Sequence, residues 1–127
     1  MKVNENYLDA ARSVLGQDAG GLLENGKIPT VYTGYVAAFG GSMVQPGLYA
    51  TVVSYYADVK KTKIANLIFD IFKKRNPVIV GQSQFSDFIE ANRRNSNYRQ
   101  IRNNIAQSVI ALKLVLRTFN INNENEE

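Results

Sequence analysis

Asp87 and Glu90 lie three residues apart, a spacing that puts two carboxylates on one face of a helix. Such a pair can divide general-acid and general-base work when its surroundings push the two pKa values apart. Far more often it is a solvated surface pair. Little else in the chain would support catalysis, because it contains no histidine and no cysteine. Histidine is the commonest general base and the commonest metal ligand. Without cysteine there is no thiolate nucleophile, no iron–sulfur ligand and no disulfide. Carboxylates, lysine, tyrosine and serine are what remain. This composition predicts a binding protein, not an enzyme, with no catalytic residue, no metal and no cofactor.

The side chains that stand out are basic, and they are unevenly placed. Residues 60–117 hold twelve lysines and arginines against three acidic residues. Residues 1–59 hold three against five, and three glutamates follow Thr118, within a formal net charge of +4. A basic half beside an acidic half and tail predicts an oriented surface for a polyanion. Guanidinium groups suit phosphates because their N–H fork meets two oxygens at once. On a helical wheel of about 100° per residue, Arg99, Arg102, Asn103, Lys113 and Arg117 share one sector. That sector adjoins the apolar stripe of the same helix, so it flanks a packing seam and predicts one wall of a groove. Lys60, Lys61 and Lys63, at the head of an earlier helix, and Arg93 and Arg94, in a loop, complete the expected RNA-binding set if packing brings them near. No zinc-finger spacing, RNP aromatic signature or GXXG loop is present, so nothing reads bases. Tyr49, Tyr55 and Tyr56 have two readings, stacking on bases or filling the rim of the core.

The elements that must position these residues are helical. Val3, Tyr7, Leu8, Ala11, Val14 and Leu15 repeat at the spacing of one helix face, closed by Gly16. Pro29 is expected at the first position of a second helix carrying Val31, Tyr32, Tyr35, Val36, Phe39 and Met43. Gly34, Gly40 and Gly41 interrupt it, which predicts a close backbone neighbour or a bend. Gln45-Pro46-Gly47 breaks the chain, and residues 48–56 resume as helix, although Thr51, Val52 and Val53 also permit a strand. Residues 62–75 are amphipathic on Ile64, Leu67, Ile68, Ile71 and Phe72, and Asn76-Pro77 ends them. Val78-Ile79-Val80 is expected as a short connector or strand. Ser83 is the expected N-cap of a helix with Phe85, Phe88 and Ile89. The last helix is expected over 97–119, on Tyr98, Ile101, Ile105, Val109, Leu112, Leu116 and Phe119.

At 127 residues and 45% apolar, the chain suits one domain with a real core. The prediction is an all-α fold, a compact bundle of about six helices over residues 1–119, with a disordered acidic tail over 120–127. The N-terminus is polar and no apolar run of about 18 residues is expected anywhere, which predicts a cytoplasmic protein without signal peptide or membrane contact.

One segment carries more than helix periodicity. Tyr32-x2-Tyr35-x3-Phe39-Gly40-x2-Met43-x-Gln45-x-Gly47-Leu48, followed by Tyr55-Tyr56, resembles the signature region of the small subunit of the Cmr complex, the type III-B CRISPR RNA-guided effector. That family has an aromatic pair on one helix, then a Gln-x-Gly-Leu turn into a second helix ending in aromatics. Leu112-Lys113 with Arg117-Thr118-Phe119 is similar to the end of its C-terminal helix. Pro46 stands where the family usually has a small polar residue, and the last helix lacks the tryptophan often seen there. The resemblance implies an all-α, non-catalytic subunit of antiviral defence, since target RNA is cut by the backbone subunit. It further implies copies stacked beside the backbone filament, touching guide and target RNA without reading sequence. Two alternatives share parts of the pattern. One is the small subunit of the type III-A (Csm) complex; the other is a helix-turn-helix DNA-binding regulator drawn through residues 85–106.

Overall fold

Asn4 starts the first helix: its side-chain oxygen accepts the Asn6 amide at 2.8 Å, satisfying one of the free N–H groups every helix leaves at its start. The computed structural model describes residues 3–119 and the backbone of 121–122. Helix α1 (Glu5–Leu15) ends at Gly16, whose φ of +59° suits glycine, and a 3₁₀ stretch (Gly16–Gly21) follows. Then come strand β1 (Ile28–Pro29), helix α2 (Thr30–Ser42), an irregular turn (Met43–Gly47), α3 (Leu48–Tyr56) and α4 (Val59–Arg75). A single-turn helix α5 (Pro77–Val80), α6 (Phe85–Asn92), α7 (Tyr98–Leu116) and strand β2 (Ile121–Asn122) complete the order. The fold is the expected all-α bundle: six helices of eight residues or more among the described residues.

Helices α4 and α7 lie at the centre. α7 packs on α1, α2 and α4, while α4 also packs on α1, α2 and α3, and α6 rests against α3. The buried faces are those the periodicity marked: Ile64, Ile68, Ile71 and Phe72 on α4, and Ile101, Ile105, Leu112 and Leu116 on α7. A chain of aromatic rings joins four helices. Phe39 of α2 meets Tyr55 of α3 edge-on at 5.0 Å and lies 6.3 Å from Phe85 of α6. Phe85 stacks on Phe69 of α4 at 4.6 Å, nearly parallel, and Phe88 tilts against Phe69 and Phe72. Polar ties close the ends. The Asn4 amide donates to Gln107 Oε1 at 2.7 Å, and Asn76 Nδ2 donates to the Tyr7 hydroxyl at 3.2 Å. Thr51 and Ser108, buried and polar, satisfy themselves locally: Thr51 donates to the Gly47 carbonyl and Ser108 to the Asn104 carbonyl.

The structure differs from the sequence expectation at several boundaries. Pro29 sits one residue outside α2, extended (ψ 135°), because it pairs in β1 with Asn122 of β2. Asp58 caps α4 through the Lys61 amide, so that helix begins three residues early. Residues 77–80 form a helical turn and not a strand, since Pro77 is preset for a first helical position and Gly81 (φ +56°) stops it after one turn. Gln84, not Ser83, is the residue before α6, and no side chain caps it. Of the tail expected to be disordered, Ile121 and Asn122 pair with β1; residues 120 and 123–127 lie outside the described residues.

One sequence expectation needs a larger correction. The span Thr30–Tyr56 does reach membrane length, with 27 residues and a mean hydropathy of 1.2 in its most apolar window. It holds no charged side chain, nor do its neighbours from Ile28 to Ala57. It is not one rod, however. Gln45 leaves helical geometry (φ −150°, ψ 114°) before a cis peptide to Pro46, and Gly47 at φ +119° redirects the chain into α3.

Gly20 is the most closely packed of the glycines. It has φ +66°, and a Cβ there would lie 2.5 Å from Leu67 Cδ2 and 3.3 Å from Leu15 Cδ2. Gly21, at φ +88°, has nothing within 4 Å. A left-handed non-glycine residue costs about 1–2 kcal/mol. Gly20→Ala is therefore expected to destabilise the fold by more than Gly21→Ala, which carries the backbone cost alone. Urea unfolding of the two variants measures the difference; equal losses would rule out the Leu67 contact as a constraint.

Candidate nucleic-acid interface

The apolar stripe of α7 turns into the core, and this leaves the adjoining basic sector at the seam with α2. Arg99 and Arg102 line a concavity of about 540 Å³ with Gly40, Met43 and Val44 on the facing side. Lys113 and Arg117 line a second, of about 330 Å³, with Thr33, Gly34 and Val36. Gly34 and Val44 lie ten residues apart on α2 and its following turn, opposite basic residues in reverse order, so the two hollows lie along one antiparallel seam. The expected groove wall is present, and α2 supplies the other wall.

The glycines of α2 have a different role from the one their spacing suggested. A Cβ at Gly34 or Gly41 would meet nothing within 4 Å, and one at Gly40 would meet only Val109 Cγ1 at 3.6 Å. No neighbouring backbone is pressed against them. Gly34 and Gly40 line the two hollows, and their missing side chains leave the α2 wall low in front of the α7 cations. Sequence reading missed this pairing, although three glycines inside an uncharged helix were its visible signal.

Electrostatics point the same way. The two ion pairs among the described residues, Arg12 with Asp9 at 3.4 Å and Arg93 with Glu90 at 3.0 Å, do not involve the α7 cations. Arg99, Arg102, Lys113 and Arg117 are all exposed. Four positive charges on one wall, without a carboxylate in salt-bridge contact, attract anions.

Arg93 belongs to a third concavity, of about 320 Å³, with Pro46, Gly47, Leu48, Tyr49, Ala50 and Tyr98. Its guanidinium carbon lies 4.6 Å from the Tyr49 ring centre. Arg102 lies 5.6 Å from the ring centre of Tyr98. Arg94 is exposed in the turn before α7 and lines none of the three hollows. Burial pushes the Tyr98 hydroxyl pKa up, with Arg102 and Arg93 pulling against it.

Lys60, Lys61 and Lys63 do not join the α7 wall. Lys61 Nζ lies 5.5 Å from the Tyr35 ring centre and 5.4 Å from that of Tyr55, and Lys63 Nζ lies 5.9 Å from that of Tyr32. Thr33 and Tyr35 are two residues apart and so point to opposite flanks of α2; the α7 groove takes one flank and Lys61 the other. Lys60 is exposed and lines none of the three hollows. Tyr55 is a core residue, since its hydroxyl donates to the Tyr35 carbonyl at 2.6 Å; burial, then Tyr35, raises its pKa. Asp87 and Glu90 are both exposed on α6, and Glu90 accepts from Arg93 at 3.0 Å. Among the described residues no group of three or more acidic side chains is placed to hold a metal ion.

Comparison with protein-family models, with curated proteins and with solved structures found no significant match to this chain.

Tyr56 fastens α3 to α4, donating to Asn66 Oδ1 at 2.6 Å. Burial, and next the Asp70 carboxylate, push its pKa from 10.0 up to about 12. Burial also raises Asp70, against the pull of Lys73. A folded-state pKa above the unfolded value means that the native state holds this proton longer. The stabilisation is thus complete below pH 10 and is lost as pH rises through 12. Tyrosinate absorbance should show a late-titrating component, shared with Tyr55 and Tyr98, that Tyr56→Phe reduces by one group, with a flatter stability profile across the same window. A titration unchanged by the substitution would exclude this assignment.

Proposed function

We propose that this chain is the non-catalytic small subunit of a type III-B CRISPR (Cmr) ribonucleoprotein effector. In this reading it contacts guide and target RNA through phosphates, without reading sequence. The observation that carries the RNA contact is the wall of Arg99, Arg102, Lys113 and Arg117, exposed along a groove with no carboxylate in salt-bridge contact. Phosphate contacts give affinity and register, and base specificity needs groups aimed at base edges; this wall offers only charge. The resemblance across residues 28–56 supports the choice of complex. Its Gln-x-Gly-Leu element falls at the break between α2 and α3, as a turn between two helices should.

The partners are then guide and target RNA, the backbone subunit and further copies of this chain, in the cytoplasm. The role is antiviral defence, with RNA cleavage carried out elsewhere in the complex. Lining up many copies on one strand makes weak individual contacts sufficient, because each later contact is effectively intramolecular. The type III-A (Csm) small subunit has the same role with a different backbone partner, and a pull-down against each backbone subunit separates them.

The wall itself is tested by Arg99→Glu, Arg102→Glu and Arg117→Glu together. All three positions are exposed, so the fold should survive. RNA affinity is expected to fall for every sequence alike. The slope of log K against log salt should drop by about 2, at roughly 0.7 per lost single-strand phosphate contact. Normal binding and normal assembly of the triple variant would sink the proposal.

A further inference from the structure

The α7 wall carries cations but no aromatic ring, whereas the hollow beside its N-terminal end is built differently. Tyr49 and Tyr98 line it with Arg93, over an apolar edge of Pro46 and Leu48. The Arg93 guanidinium already lies over the Tyr49 ring at 4.6 Å. Its charge is met by Glu90 at 3.0 Å, so Arg93 offers a flat face more than a free charge. Phenol rings and guanidinium planes are the surfaces on which unpaired bases stack. At about 320 Å³ the hollow falls within the size range of small-ligand pockets.

Its position matters as much as its lining. Arg102 lines the groove and also lies over Tyr98, and Tyr98 lines the hollow. A strand that follows the cations towards the start of α7 therefore arrives at Tyr98. The turn Met43–Gly47 borders both sites, giving Met43 and Val44 to the groove and Pro46 and Gly47 to the hollow.

We infer that the hollow formed by Tyr49, Arg93 and Tyr98 takes one unpaired nucleobase, stacked on the Tyr49–Arg93 platform, from an RNA strand whose phosphates run along α7. The inference rests on the RNA reading above and adds a contact to the base, tolerant of base identity because it uses the π-face and not the base edge. It gives the chain a preference for single-stranded or splayed RNA that the groove alone lacks.

The test compares two labelled strands of equal length and charge, at one salt concentration, using the full chain and fluorescence anisotropy. One is oligouridine, whose bases stack weakly on each other; the other is an abasic ribose-phosphate oligomer. The wild type should bind oligouridine about tenfold more tightly. Tyr49→Leu and Arg93→Lys should each lower oligouridine binding to the abasic level and leave abasic binding unchanged. Arg93→Lys keeps the charge and removes the plane, so a purely electrostatic Arg93 would leave both strands unaffected. The chain has no tryptophan, so Tyr49→Trp places a single reporter in the hollow, which oligouridine should quench and the abasic strand should not. Equal wild-type affinity for the two strands overturns the base site while leaving the phosphate wall standing. Failure to bind either strand overturns the RNA reading and the base site together. In the Tyr49→Trp variant, quenching by an added protein partner but not by oligouridine would assign the hollow to a protein and also overturn it.

Discussion

The stack of Phe85 on Phe69 is the contact on which the rest of this fold turns. Helix α6 is only eight residues long and has no side-chain cap, and a helix that short has little stability of its own. It is held because Phe85 and Phe88 lie among the rings of α4. Phe85 also reaches Phe39, and Phe39 meets Tyr55. One run of rings thus fixes α2, α3, α4 and α6 relative to each other. Ring pairs of this kind contribute about 0.5–1.5 kcal/mol beyond their buried area. The direction in which α2 presents its low, glycine-bearing side to α7 follows from where Phe39 is anchored.

The groove therefore has two walls with different origins. The α7 wall is a matter of periodicity: its stripe must be buried, and the basic sector follows at a fixed angle. The α2 wall is a matter of tertiary packing, because a helix without charge can expose almost any side. This explains what was legible in the sequence. The helix count, the main core residues and the coherence of Arg99, Arg102, Lys113 and Arg117 all rest on 3.6-residue spacing. The separation of Lys61 and Lys63 from that wall does not. Those lysines lie over Tyr32, Tyr35 and Tyr55, rings that belong to two other helices, and no local pattern encodes that meeting.

The boundary errors have a similar cause. Pro29 fits a first helical position on local grounds, yet a strand partner more than ninety residues away holds it extended. Ser83 is a good cap by residue type, but Gln84 occupies the geometry a cap requires. The glycines of α2 suggested a close backbone neighbour or a bend, and no neighbouring backbone lies within 4 Å of where their Cβ atoms would be. In each case the residue type was informative and its meaning depended on a distant neighbour.

The length of α7 has one more consequence. Arg99 and Arg117 are eighteen residues apart on a continuous run, a rise of about 27 Å at 1.5 Å per residue. A stacked strand advances about 3.4 Å per nucleotide, so the wall of one copy spans about eight nucleotides. On the proposed RNA reading, the footprint of one copy on a strand would be set by the length of this helix. On that reading, adding or removing a turn of α7 would change how many nucleotides each copy occupies while leaving the proposed base site intact.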